Sequence, residues 1–476
     1  MKESLLLIAV FAPVFGAFIL PLVGRISTIA RNVLSLILVL ISLICSIGLL
    51  PSILAGEKII FSLAFPLGLN FILNADALAV FMAIVSSFIG SIIVLYSFDY
   101  ISHYENQNEY YLMVVLFLGS MIGLTYSGNL IFLFLFWEIT AIACWRLIGF
   151  YREKNDIIKA DKAFLVTVFG ALVMFIGFIM IYQQTGTFDL INTGGKMLPG
   201  IIVLLVLFGI LSKSATLPFQ TWLPDAGVAP SPVTALLHAA VLVKIGVYVF
   251  ARLFLVSFSI GAFWHTAVPA IAAASALVAA GAALIETDMK RIIAYSTVSQ
   301  IGFIFLGLST GNPIGAVGGL LYILMHGLAK GGLFLAAGVI EQNTKTKDIT
   351  KLGGLINTMP ITAISFLFCA FSVMGIPPFG GFFSKYLVIS GAVQANQVFI
   401  ALTFIVGAFL TIIYLFRLFN MIFLGESKGI LAKEGSKTMV YSVALLAALS
   451  LAGGILVNYP VGFLKVALLQ MAGIVK

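Results

Sequence analysis

The sequence predicts an all-α polytopic membrane protein: about fourteen transmembrane helices, two inverted five-helix repeats, and broken helices seven and twelve. Three observations carry that prediction. Of 476 residues, 61% are hydrophobic and 9% are charged, and apolar runs long enough to cross a bilayer recur from end to end. Lysine and arginine concentrate in alternate connections between those runs. Two of the runs are broken by proline in the same way, five runs apart.

The spans fall near 3–23, 32–52, 76–98, 111–127, 129–150, 163–183, 200–217 with a broken continuation, and 232–251. They continue near 263–285, 292–309, 314–340, 361–396 (broken), 398–423 and 439–459. Residues 1–23 hold one lysine and no small-residue cleavage pattern, so a retained first helix is expected rather than a signal peptide. Gly/Asn, Pro or charge clusters punctuate most boundaries. Odd-numbered connections carry Arg25, Arg31, Arg152, Lys154, Lys159, Lys162, Lys290, Arg291, Lys345, Lys347, Lys351, Lys428, Lys433 and Lys437. Even connections and the termini carry Lys2, Lys58, Lys196, Arg252, Lys465 and Lys476, fewer than half as many. Odd connections are therefore expected in the cytoplasm of a prokaryotic cell, and both termini outside its inner (plasma) membrane.

The seventh span breaks at SATLPFQTWLPDA and the twelfth at MGIPPFGGFFSKY. Each contains Pro-Phe, then aromatics, then a charge seven residues after that proline: Asp225 after Pro218, Lys385 after Pro378. A repeat offset of five spans reverses orientation between the copies. Residues 1–110 are expected to hold helices one to three, 111–255 the first repeat, 256–424 the second, and 425–476 helix fourteen.

Several functions are excluded by what the chain lacks. No polar stretch is long enough to build a soluble core. Cys45, Cys144 and Cys369 lie far apart in apolar segments, without a CxxC, so no zinc or iron–sulfur framework is expected. There is no GxGxxG and no phosphate-binding loop. No cofactor is expected in this chain. The net charge of +8 is loop charge that sets orientation, and no nucleic-acid partner is expected.

The candidate functional residues are ionisable groups at membrane depth, where a charge costs about 3 kcal/mol or more. Glu138 is the acid in the middle of a span, within LIFLFLFWEITAIACWRLIGF. Lys213 precedes Pro218 by five residues, near carbonyls freed by the break, and is the expected partner of Glu138. Lys244 lies halfway along span eight, too deep to snorkel easily. His238 is six residues earlier, so the two are not expected to share a face closely; a relay role and plain packing weigh equally for it. His326 and Lys330 are four apart, on one face of span eleven. Lys385 follows the second break and closes the series. Arg146 and Arg417 sit near span ends as expected interface anchors, and Asp225 lies in a linker of undetermined depth.

The stretches TWLPDAGVAPSPVTALLHAAVLVKIGVY, KSATLPFQTWLPDA, FWEIT, DMKRIIAYSTVSQIG and GIPPFGGFFSK resemble the signature of antiporter-like membrane subunits. Such subunits occur in respiratory complex I, in energy-converting membrane-bound hydrogenases, and in Mrp-type multisubunit sodium/proton antiporters. The resemblance covers nearly the whole chain. It implies fourteen helices, broken helices seven and twelve, and a horizontal polar axis at mid-membrane. The matching positions are Glu138 and Lys213 in the first half, Lys244 between the halves and Lys385 in the second, with His238, His326 and Lys330 at positions often polar in the family. In some members a glutamate stands where Lys385 does; lysine here resembles the majority. RLIGFYREKNDIIKADKAFLVT resembles the largest complex I antiporter-like subunit, yet no long lateral helix is expected, because the sequence stops soon after span fourteen.

Three readings follow. The first is a proton-translocating subunit of a redox-driven complex, an oxidoreductase of the NADH:quinone dehydrogenase or hydrogenase type. Iron–sulfur, flavin or nickel centres would then sit in peripheral partner subunits. The second is a subunit of a Mrp-type sodium/proton antiporter without redox chemistry, alongside family members and small membrane subunits. The third, a passive subunit glued by buried charges, is disfavoured by the cost of so many intramembrane cations. A sodium site needs several oxygens, and no carboxylate cluster is visible, so the proton is the favoured ion.

Overall fold

Hydropathy dictates the first level of structure, because a backbone in lipid must bond to itself and long apolar runs become helices. The computed structural model describes residues 2–66, 69–191, 193–429 and 432–471. Its elements in order are α1 (Lys2–Ile26), α2 (Thr28–Leu54), β1 (Ile59–Ala64), β2 (Asn70–Ala75), α3 (Ala77–Tyr100), α4 (Gln107–Tyr126), α5 (Leu130–Ile148) and α6 (Lys154–Thr185). Then come α7 (Gly200–Lys213), α8 (Trp222–Asp225), α9 (Ser231–Ala235), α10 (Leu242–Ala251), α11 (Trp264–Ile285), α12 (Met289–Ser309) and α13 (Pro313–Thr344). The chain continues through α14 (Pro360–Met374), α15 (Gly380–Gln394), α16 (Val398–Phe419), α17 (Lys437–Ile455) and α18 (Asn458–Met471). A π-helical turn at Leu236–Ala240 joins α9 and α10 into one span, a second at Arg252–Ser257 extends α10, and a third at Asn420–Leu424 extends α16.

Among the described residues, twelve helices are long and apolar enough to cross a membrane, and the shorter apolar α7 and α14 bring the apolar elements to fourteen. Those two are the helices that the proline motifs break. α7 stops at Lys213 and helix resumes at Trp222; α14 stops at Met374 and resumes with α15 at Gly380. The peptide bonds Leu217–Pro218 and Pro377–Pro378 are cis. Side-chain caps place several helix starts: Asp76 on α3, Asn129 on α5, Asp288 on α12 and Asn312 on α13 each accept a backbone N–H of the first turn.

Contacts between connections test the span count. Arg31 donates to Gln107 and Asn108 at 2.7 and 2.6 Å, tying the first connection to the third. Lys162, Asp225 and Arg291 pair at 2.7 Å each, tying the fifth, seventh and ninth. On the opposite face Asn70 and Asn129 donate to Asp189 at 3.0 and 2.6 Å, and Gln397 donates to the His265 carbonyl at 2.6 Å. Connections of one parity thus meet each other, as an alternating bundle requires. These contacts also place Asp225, whose depth the sequence left open, on the odd-connection face.

Three features depart from the expected layout. α6 begins at Lys154, a good two turns before the expected boundary, because its polar first turns face the odd-connection surface. β1 and β2 pair as antiparallel strands, with Ile59 opposite Ala75 and Ala64 opposite Asn70. α18 follows the last span as an extra helix on the even-connection face, where Gln470 Nε2 donates to the Ile53 carbonyl at 2.9 Å.

Burial is graded across the bundle. In the apolar stretches of α12 and α13, 94% of the residues are buried, against 39% in α6 and 33% in the span of α16 and its π-helical extension. The ionisable side chains therefore sit mostly in the helices most shielded from lipid.

Candidate functional site

The two helix breaks create polar ends inside the bundle, and a lysine occupies each. Lys213 is the last residue of α7, where unsatisfied carbonyls favour a cation. It is fully buried; its Nζ donates to the Trp137 carbonyl of α5 at 3.2 Å and lies 5.2 Å from the Trp137 ring centroid. Lys385, on α15, reaches back to the end of α14 and donates to the Val373 carbonyl at 2.7 Å. The Phe303 ring centroid lies 4.6 Å from its Nζ. Both ammonium groups are thus held by a carbonyl and an aromatic face.

The expected Glu138–Lys213 ion pair is not formed. Lys213 bonds to the carbonyl of the residue before Glu138, while Glu138 Oε1 is buried without a hydrogen-bond partner. Glu138 shares the outward face of α5 with Leu135 and Ile142, about half exposed, so its stem leaves the bundle interior.

Between the breaks, Lys244 joins the two halves of the chain. Its Nζ donates to the His238 carbonyl at 2.6 Å and lies 2.7 Å from Nδ1 of His326 on α13. Lys244 meets His238 through the His238 backbone carbonyl and not through a shared side-chain face. The π-helical turn at Leu236–Ala240 and the irregular backbone at Val241 (φ −128°, ψ −72°) shift the register between them. The His238 ring stacks on Phe334 at 4.3 Å with neither nitrogen hydrogen-bonded. His326 and Lys330 share one face of α13, but their ends diverge. Lys330 Nζ donates to the Ile293 carbonyl of α12 at 3.1 Å.

Sequence reasoning missed the polar groups between these cations. Tyr322 lies one turn before His326, with ring centroids 5.7 Å apart, and its hydroxyl donates to Gln300 Oε1 at 2.7 Å. Gln300 Nε2 donates to Thr411 at 3.2 Å, and the Tyr414 hydroxyl is 2.8 Å from Ser296 Oγ. The Tyr322 ring is also 5.9 Å from Lys385 Nζ, so this cluster lies between His326 and Lys385. On the other side, the hydroxyls of Ser214 and Thr216 are buried without partners just past Lys213. A glutamine within an apolar span was the available signal for Gln300.

Among the described residues, no carboxylate lies within ion-pair distance of Lys213, Lys244, Lys330 or Lys385. Neutral acceptors hold all four. No group of three or more His, Cys, Asp or Glu gathers as a metal site among those residues. What the row offers is a series of proton-exchanging groups in low-dielectric surroundings, linked by hydroxyls and amides.

Comparison with known proteins gives this geometry its context. The profile of the family described as NADH:quinone oxidoreductase/Mrp antiporter, TM, matches residues 127–411. That described as NADH-Ubiquinone oxidoreductase (complex I), chain 5 N-terminus, matches residues 63–111. A Na(+)/H(+) antiporter subunit from Alkalihalophilus pseudofirmus is 35% identical over 82% of this chain and 53% of its own length. Its counterpart from Staphylococcus saprophyticus, also named for a Na(+)/H(+) antiporter, is 35% identical over 95% of this chain and 61% of its own length. The chain thus spans little more than half the length of these curated relatives. Two solved structures share the fold. A chain of the Mrp complex from Dietzia sp. superposes with a TM-score of 0.88 at 22% identity, covering 99% of this chain and 97% of the other. A chain of the membrane-bound sulfane sulfur reductase, an archaeal respiratory membrane complex, gives 0.89 at 24%, covering 100% and 99%.

Proposed function

Because this chain belongs to the NADH:quinone oxidoreductase/Mrp antiporter membrane family, we propose that it is an ion-translocating subunit of a Mrp-type sodium/proton antiporter. The sequence placed a redox-driven complex first. The curated relatives, named sodium/proton antiporter subunits, weigh toward the antiporter instead. The complex I profile over residues 63–111 keeps the redox-coupled reading as the second.

The observation that carries the proposal is the Lys244–His326 contact at 2.7 Å, which bridges α10 and α13 between the two helix breaks. In this reading a proton moves along the row rather than straight across the membrane. Lys213 exchanges its hold on the Trp137 carbonyl for the free oxygen of Glu138, and so gains or loses a counter-charge. The change passes by way of Ser214 and Thr216 to Lys244, across to His326, and past Lys330 and the Tyr322–Gln300 cluster to Lys385. The lysines along the row lack a fixed counter-ion, and the Lys244–His326 step spans 2.7 Å. Coupling to sodium requires that sodium binding favour one of the two Lys213 arrangements. The odd-connection face is cytoplasmic in this reading, and the partners are other membrane subunits.

Purification of the native complex in mild detergent, with subunits identified by mass spectrometry, tests the assignment. Small membrane subunits alone are the expected companions. Stoichiometric iron–sulfur or hydrogenase-like subunits would replace this reading with the redox-driven one.

A further inference from the structure

The row of cations needs a way out of the bundle, and one span supplies it. On α10, Lys244 and Tyr248 are four residues apart, and Arg252 follows after four more, so the three fall along one face of the span. Tyr248 and Arg252 are buried. Arg252 Nε donates to the Tyr248 hydroxyl at 2.9 Å, and that hydroxyl in turn donates to the Thr125 carbonyl. The guanidinium closes on Asp76 with two hydrogen bonds, one of 2.8 Å from Nη2 to Oδ1 and one from Nη1 to Oδ2. Asp76 caps α3 through the Ala79 N–H at 2.9 Å. It lies just outside that span, where burial would lift its carboxyl, but the Arg252 charge and hydrogen bonds outweigh this and hold it below the usual value.

Beyond the pair lies a cavity of about 200 Å³ whose wall is part apolar and part polar, the polar part including Lys58, Asn74, Asp76, Ser127, Thr193 and Arg252. Its rim is exposed at Lys58, Gly194 and Gly195, so it opens on the even-connection face. It has room for several waters at about 30 Å³ each. The Asn74 Oδ1 on its wall is buried without a protein partner, an atom that a water would satisfy. The π-helical turn at Arg252–Ser257 begins at the residue that closes the cavity from the membrane side.

The geometry points to the Asp76–Arg252 pair as the gate between Lys244 and the even-connection face, with Asp76 as the group that releases the proton into the cavity. This rests on the translocation reading above. In the step, a Lys244 N–H bond breaks and its proton passes over the Tyr248 hydroxyl and intervening water. An O–H bond forms on Asp76 as Arg252 swings off it, and that bond then breaks toward cavity water. Arg252 keeps its charge throughout and acts by position. Arg252 and Lys58 are the charges facing Asp76.

The test uses the assembled complex in inverted membrane vesicles and reads sodium-driven dissipation of a pH gradient. Asp76→Asn keeps the cap on α3 and removes the proton-carrying oxygen; the rate is expected to fall about a hundredfold. Tyr248→Phe, which keeps the packing, is expected to fall about tenfold. Asp76→Glu is expected to restore most of the rate, which a purely structural role for the pair would not require. Lys244→Met is the reference for the axis. If it stops transport while Asp76→Asn and Tyr248→Phe run at the wild-type rate, the gate is refuted and the axis stands. If Lys244→Met itself transports normally, axis and gate fall together. Should Asp76→Asn fail to assemble, a slow Tyr248→Phe supports the gate and a wild-type rate overturns it.

Discussion

Lys244 is fully buried and held by the His238 carbonyl and the His326 ring, without a carboxylate. That difference in how the two histidines touch it makes a prediction. His326→Ala removes a ring nitrogen from the relay and is expected to slow transport about a hundredfold. His238→Ala leaves its carbonyl in place and is expected to cost much less; equal losses in a vesicle transport assay would contradict this assignment. The sequence made the cations legible because charge at membrane depth stands out against apolar neighbours. It did not make their partners legible. Glu138 and Lys213 look like a pair by chemistry, but Lys213 bonds to the Trp137 carbonyl, while Glu138 lies on the outward face of α5 with its Oε1 buried and unpartnered. Tyr322 and Gln300 carry no charge and so escaped a search for charges.

Helix breaks and close approaches decide where these residues sit. Gly246 shows how tightly α10 and α7 meet: a Cβ there would lie 2.1 Å from Ser214 Oγ and 2.5 Å from the Ile210 carbonyl. Gly246→Ala is expected to force the helices apart at a cost of about 2 kcal/mol. The purified complex should melt at a lower temperature, and an unchanged melting temperature would show that the contact is looser than described. The breaks themselves were readable, since proline ends a helix by removing an N–H and crowding the preceding turn. The π-helical turns were not, because no residue type encodes them and tertiary contacts set them. Two of the three matter here, since one brings the His238 carbonyl to Lys244 and another starts at Arg252. The paired strands β1 and β2 and the helix α18 were not legible, because each is shorter than a bilayer-length apolar run.

At the scale of the molecule, the number of apolar elements and their alternating orientation were legible from hydropathy and loop charge together. The contacts among connections of like parity, such as Lys162–Asp225–Arg291 on one face and Asn129–Asp189 on the other, agree with that alternation. The choice between an antiporter and a redox-driven pump was not legible, because both use the same buried lysines and differ in their partners. The central claim is that the row from Lys213 to Lys385 moves ions by way of Lys244. The most direct measurement is sodium-driven dissipation of a pH gradient in inverted vesicles bearing the complete complex, wild type against Lys244→Met. The expected result is rapid dissipation in the wild type and none above background in an equally assembled variant. Wild-type dissipation by Lys244→Met would contradict it.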